Sequence, residues 1–194
     1  MKKTIAVIAI IAVTLLALAF GLDSFAQANA HKEHEWLMET LLPGGKDFKL
    51  VTHDDEDPTI RSVHQADVGF VIETVTQGYA GEIVMLIGVD NDCKVTGLVT
   101  LEAHETLGLG SKILTDHGFL SQFLNKTGSF TIGTTGADAF SGATGETVTT
   151  GDEIAVDGIS GATVSSKAVA RCVNAAIAYV TGADIDSSAT TWGG

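Results

Sequence analysis

Only 11 Lys and Arg stand among the 194 residues, against 24 Asp and Glu, for a formal net charge of -13. Nucleic-acid binding by counterion release needs clustered cations, which this chain lacks. Cysteine is nearly absent. Cys93 and Cys172 can build neither a disulfide framework nor a four-ligand zinc site, although one disulfide between them stays open at this level. Proline is as rare, with two residues, whereas glycine occurs 22 times, which points to many tight turns in a packed domain. Charged side chains make up 18% and hydrophobic ones 45%, so an acidic disordered chain is excluded as well.

Lys2 and Lys3 precede an apolar run, Ile5 to Leu22, interrupted by Thr14 and Gly21. At 1.5 Å per helical residue, about 18–20 such residues cross the hydrocarbon core of a bilayer. The lysines favour a cytoplasmic N-terminus. Residues 1–30 therefore read as a single-pass anchor in the cell membrane, with the rest of the chain on the extracytoplasmic side. The competing expectation is a cleaved secretory signal, because Ala28-Asn29-Ala30 fits the small-x-small rule ahead of His31. The length of the run favours the anchor, since signal cores span about 7–15 residues. Both readings export residues 31–194.

Residues 31–42 read as a short helix with Trp36, Leu37, Met38, Leu41 and Leu42 on one side, stopped by Pro43-Gly44-Gly45. Residues 46–67 contain the acidic run His53-Asp54-Asp55-Glu56-Asp57 and read as a solvated loop, so 31–67 forms a membrane-proximal segment. From Val68 the pattern turns to strand: Phe70 to Val75, Ile83 to Val89 and Val95 to Leu101, the last two joined by a hairpin turn over Asp90 to Lys94. A helix is expected over residues 111–125, then a polar Gly/Thr-rich region over 127–151. Residues 164–180 form the most regular pattern, an amphipathic helix. Val169, Cys172, Val173, Ala176 and Val180 make its buried stripe, Lys167, Arg171 and Asn174 lie opposite, and Gly182 stops it. The expected fold is α+β, a twisted antiparallel sheet packed by helices. It fills a domain over 68–184, followed by a tail over 185–194.

Two Gly-containing segments carry the chemistry. His104 to Lys112 is a Gly-rich loop that matches neither a phosphate-gripping P-loop nor a dinucleotide fingerprint. Asp157-Gly158-Ile159-Ser160-Gly161-Ala162-Thr163-Val164-Ser165-Ser166 brings a turn of small residues to the start of the last helix. Thr163 falls at the expected N-cap, where unpaired backbone N–H groups and the helix dipole favour an anion by about 0.3–1 kcal/mol. Ser165 and Ser166 add hydroxyl donors, while Gly161 and Ala162 leave room for a bulky group. An isolated S-G-A-T would simply cap a helix. No nucleophile, base and oxyanion-hole set for hydrolysis is visible.

The pattern D-x-x-[ST]-G-A-T at Asp157, Ser160, Gly161, Ala162 and Thr163 resembles the sequence on which an exported flavin transferase attaches FMN to the final Thr as a phosphoester. Asp138 to Thr144 repeats it letter by letter, but Gly145-Glu146-Thr147 follows and offers no helix terminus to a phosphate, so Thr163 is the expected site. Gly78-Tyr79-Ala80-Gly81, the strand pair, the loop from Glu105 to Gly110 and the Thr163 motif occur in the order of the family of Rnf-complex G subunits. They resemble more distantly the C subunit of the sodium-translocating NADH:quinone reductase. The family loop, H-x-E-T-P-G-L-G, is matched at Glu105, Thr106, Gly108, Leu109 and Gly110, with Leu107 in place of Pro and Ala103 in place of His.

The resemblance implies covalent FMN on Thr163, with Thr106, Leu107, Gly108 and Leu109 beside the isoalloxazine ring and Glu105 as a structural partner of the loop. It also implies partner subunits in an ion-translocating membrane complex moving electrons between ferredoxin and NAD, with no turnover by this chain alone. The alternatives are a free-standing exported flavoprotein and a non-redox anchored binding module.

Overall fold

The computed structural model describes residues 34–51, 57–105, 110, 113, 115–133 and 153–182. The expected anchor, the acidic run to Glu56, the loop Thr106 to Leu109 and the second motif at Thr144 lie outside these residues. Among the described residues no helix is long and apolar enough to cross a membrane. The chain divides into Met1–Leu37 and Met38–Gly194.

Residues 34–41 are helical (α1), and Met38, Leu41 and Leu42 are buried as expected. Trp36 is not: it remains 66% exposed, because a helix sets it about 200° away from Met38. Five strands follow in one antiparallel sheet of order β1-β2-β3-β4-β5: β1 Lys49–Val51, β2 Ile60–Ala66, β3 Gly69–Gln77, β4 Glu82–Asp90 and β5 Val95–Ala103. The last three match the sequence expectation. The first two correct the solvated-loop reading of residues 46–67, and the sheet begins ahead of Val68.

The unbroken apolar run of β4 reflects burial on both faces. Ile83, Met85, Ile87 and Val89 join the main core. On the opposite side Gly88 and its cross-strand partner Gly97 let the backbone of Leu41 approach, and Thr96 Oγ1 donates to Leu41 O at 2.6 Å. The β4–β5 turn forms as expected. Asp90 Oδ1 accepts from Asp92 N (2.9 Å) and Lys94 N (2.8 Å), and Cys93 takes a positive φ of 61°.

Within the helix expected over 111–125, the described residues form α2, His117–Ser121, capped by Asp116, which accepts from Phe119 N at 3.0 Å. The Gly/Thr-rich region hides strand β6, Ser129–Gly133, which pairs in parallel with β7, Glu153–Asp157. This second sheet is an addition to the expected antiparallel one. The final helix, α3, spans Thr163–Thr181 and ends at Gly182 (φ 65°), as anticipated. It packs against β3 and β4 of the large sheet and against β6 of the small one, so burial extends well beyond the expected stripe to Ala168, Ala170, Ala175, Ile177 and Ala178.

Asn174, expected on a polar face, instead clamps β6: its Oδ1 accepts from Phe130 N (2.8 Å) and its Nδ2 donates to Phe130 O (3.0 Å). Asn174→Ala leaves both backbone groups unpaired in a half-buried site and is expected to cost about 1–3 kcal/mol, measurable by urea unfolding. A change below about 0.5 kcal/mol would show that water replaces the clamp. Cys93 and Cys172 are both free, which closes the disulfide option. Burial pushes the Cys172 thiol up, and its sulfur lies 3.3 Å from Thr76 Oγ1.

Candidate functional site

The motif turn is built by the two elements it joins. At the end of β7 the backbone of Asp157 is held by Gln122, whose Oε1 accepts from Asp157 N (2.9 Å) and whose Nε2 donates to Asp157 O (3.1 Å). The Asp157 residue itself is exposed. Gly158 follows, packed so closely that a Cβ there would come within 2.6 Å of Ile132 Cγ2. The chain then folds back: Ala162 N donates to Ile159 O at 2.9 Å, and Gly161 takes φ 78°, a left-handed conformation that glycine adopts at low cost.

This turn ends one residue earlier than the sequence indicates. Ala162 (φ -131°, ψ 33°) is the N-cap and Thr163 is the first helical residue, which corrects the expected N-cap position of Thr163. No side chain caps the helix, and the first amide to find an intrahelical acceptor is Ser166 N, bonded to Ala162 O at 2.8 Å. The amides of Thr163, Val164 and Ser165 therefore precede the hydrogen-bond ladder of α3.

Ser160 and Gly161 are exposed, Ala162 is buried, and Thr163 and Val164 are half-buried. The Thr163 hydroxyl has no hydrogen-bond partner among the described residues. Ser165 and Ser166, expected as hydroxyl donors at the helix start, are both buried. Ser166 Oγ accepts from Ile159 N (3.1 Å) and donates to Ala162 O (3.0 Å), so it stitches the turn together, while Ser165 Oγ is buried without a partner among the described residues.

A second cluster sits where β3 turns into β4. Glu105 Oε1 accepts from Tyr79 N at 2.8 Å, and a Cβ on Gly78 or Gly110 would overlap the Glu105 carboxylate. Three segments thus close around one side chain, with Glu105 Oε2 buried and unpaired among the described residues. Sequence order alone could not show this packing, although Gly78 and Gly110 are its signal.

Contacts along α3 fix how the two clusters relate. Tyr179 packs edge-on against Phe70 near the start of β3 (centroids 6.1 Å apart), whereas Ala168 O accepts from Thr76 Oγ1 near its end (3.1 Å). The helix thus runs antiparallel to β3. Its first residue lies about one and a half turns beyond Ala168, toward the end of the sheet that carries Gly78 and Glu105. The motif turn and the base of the loop from Thr106 to Leu109 share that end of the domain.

The FMN-binding domain family matches residues 78–178, which contain both clusters. Over 91% of its length the chain is 32% identical to the G subunit of the ion-translocating oxidoreductase complex of Methanosarcina acetivorans, likewise covering 91% of that protein. This chain belongs to that family of G subunits, with its FMN-binding domain. A further relative in the family is the G subunit of the Na(+)-translocating ferredoxin:NAD(+) oxidoreductase complex of Acetobacterium woodii, 33% identical over 57% of this chain and 48% of that one. The C subunit of the Na(+)-translocating NADH-quinone reductase of Parabacteroides distasonis is a solved structure with 22% identity, covering 77% of this chain and 80% of that one, at a TM-score of 0.45.

The residues present suit a phosphate-bearing group. A hydroxyl unpartnered among the described residues, three amides ahead of the hydrogen-bond ladder and an exposed Ser160-Gly161 approach converge at the positive end of a 19-residue helix.

Proposed function

We propose that this chain is the electron-transfer subunit of an ion-translocating oxidoreductase complex and holds FMN through a phosphoester to the Thr163 hydroxyl. The observation that carries this reading is the Thr163 hydroxyl on the first residue of α3, unpartnered among the described residues, within a D-x-x-S-G-A-T sequence of an FMN-binding domain. Bound FMN supplies reversible electron uptake and release, which no side chain of the domain provides.

The chain's own residues hold and orient. The amides of Thr163, Val164 and Ser165 face a phosphate with the helix dipole behind them, a contribution of about 0.3–1 kcal/mol, more where partly buried. Ser166 fixes the turn, and Ser160, Gly161 and Ala162 leave the approach open. Glu105 sets the base of the loop, from which Thr106, Leu107, Gly108 and Leu109 would flank the ring. Asp157, exposed at the end of β7, is available to the flavin transferase during maturation. Residues 1–30 would anchor the protein in the cell membrane, with the flavin domain extracytoplasmic beside its partner subunits.

The test is colour after denaturation. Purified from a host that makes the flavin transferase, the wild-type chain should fluoresce as a flavoprotein in a denaturing gel and carry one FMN in its intact mass. Thr163→Ala should abolish both. Fluorescence that survives in Thr163→Ala but vanishes in Thr144→Ala would move the attachment to the second motif.

A further inference from the structure

On the flank of α3, where β2 begins and β3 ends, an open groove of about 280 Å³ is walled by Pro58, Thr59, Val75, Gln77 and Glu82, and Arg171 of α3 reaches into it. The chain has two arginines, and they are treated differently. Arg61 is paired with Glu73 (3.5 Å) and Glu82 (3.7 Å) on the sheet surface. Among the described residues Arg171 makes no hydrogen bond or ion pair, and its buried Nε has no partner there. Burial pushes its guanidinium down from its usual value. Among the described residues, then, this half-buried guanidinium has no acceptor, and burying it is costly unless an anion is supplied to it.

The groove itself selects the anion. Glu82 lies on its wall and is paired with Arg61, so it repels a doubly charged phosphate about twice as strongly as a singly charged carboxylate. A singly charged, planar carboxylate matches the flat guanidinium fork with two parallel N–H donors. Thr59 and Gln77 on the same wall offer further polar groups to whatever carries that carboxylate. We propose that the groove is a carboxylate-binding subsite centred on Arg171, independent of the flavin attachment at Thr163. The carboxylate comes from a small acid in solution or from an Asp or Glu side chain of a neighbouring protein in the complex; both use the same chemistry.

With two arginines in the chain, phenylglyoxal labelling of the full-length wild-type protein, read by peptide mass spectrometry, gives a direct test with Arg61 as internal reference. Sodium acetate should slow labelling of Arg171 but not of Arg61, falling about twofold at the concentration that half-fills the site, while sodium chloride of equal ionic strength has no such effect. Equal Arg171 rates in acetate and chloride, in isolated protein and in membranes alike, overturn the proposal.

Membranes containing the assembled complex separate the two sources. Protection of Arg171 without added acetate identifies a protein side chain, and protection that needs acetate identifies a free acid. Arg171→Gln supplies an independent check. Acetate should raise the melting temperature of the wild type above its value in chloride and leave the variant unchanged, and the variant without acetate should melt no lower than wild type. A variant stabilised by acetate as strongly as wild type also sinks the assignment.

Discussion

Phe123→Ala is expected to lower the unfolding free energy by about 3–5 kcal/mol, the range for emptying a fully buried aromatic site. Phe123 has no exposed surface and sits between two other rings, Phe119 at 5.4 Å (88°) and Phe130 at 5.0 Å (59°). It follows α2 directly and touches β6, so its removal loosens the join between the α2 turn and the small sheet rather than one element alone. Urea unfolding followed by circular dichroism measures the loss. Phe123→Leu, which refills part of the volume, should cost clearly less. If both variants fall within about 1 kcal/mol of wild type, the ring cluster is not a structural centre.

Gly69→Val should be comparably severe for a different reason. Gly69 has φ 153°, and a Cβ there would overlap Val89 O and come within 2.8 Å of Asp90 Cα, both backbone atoms of β4 that cannot move aside. Backbone strain of about 1–3 kcal/mol adds to overpacking of about 1–3 kcal/mol. Gly182 is the control: its φ is 65°, but apart from its chain neighbours no described residue comes within 4 Å of where a Cβ would stand, so Gly182→Ala should cost only conformational strain. That strain is about 1–2 kcal/mol. Equal losses at the two positions would show that crowding against β4 contributes nothing.

The sequence displayed those elements whose signal is local and strong. β3, β4 and β5 are long apolar runs separated by Gly or Asp-Asn-Asp turns, and α3 has a start motif, a helical period and a glycine stop. β1 and β2 were hidden because an edge strand of pattern exposed-exposed-intermediate and a strand reading Ile-Arg-Ser-Val-His-Gln-Ala present little apolar continuity. β6 and β7 were hidden because they pair in parallel, with partners some two dozen residues apart in a Gly/Thr-rich region.

The same division holds at the site. The D-x-x-S-G-A-T letters and the following helix are contiguous, so Thr163 could be singled out. The inward turn of Ser165 and Ser166 and the one-residue shift of the N-cap depend on Gly161 and on the bond from Ile159 N to Ser166 Oγ, which no pattern encodes. The Asn174 clamp and the Arg171 groove join positions far apart in the chain and emerge only on folding.

Because α3 is wedged between two sheets, whatever is fastened at its head has little slack. A redox passenger on Thr163 would not sweep through space on a tether to find its donor. Its distance to each neighbour would be set once, by how the assembled complex docks this domain, so the pace of electron hops would be governed by that docking gap rather than by a diffusive search.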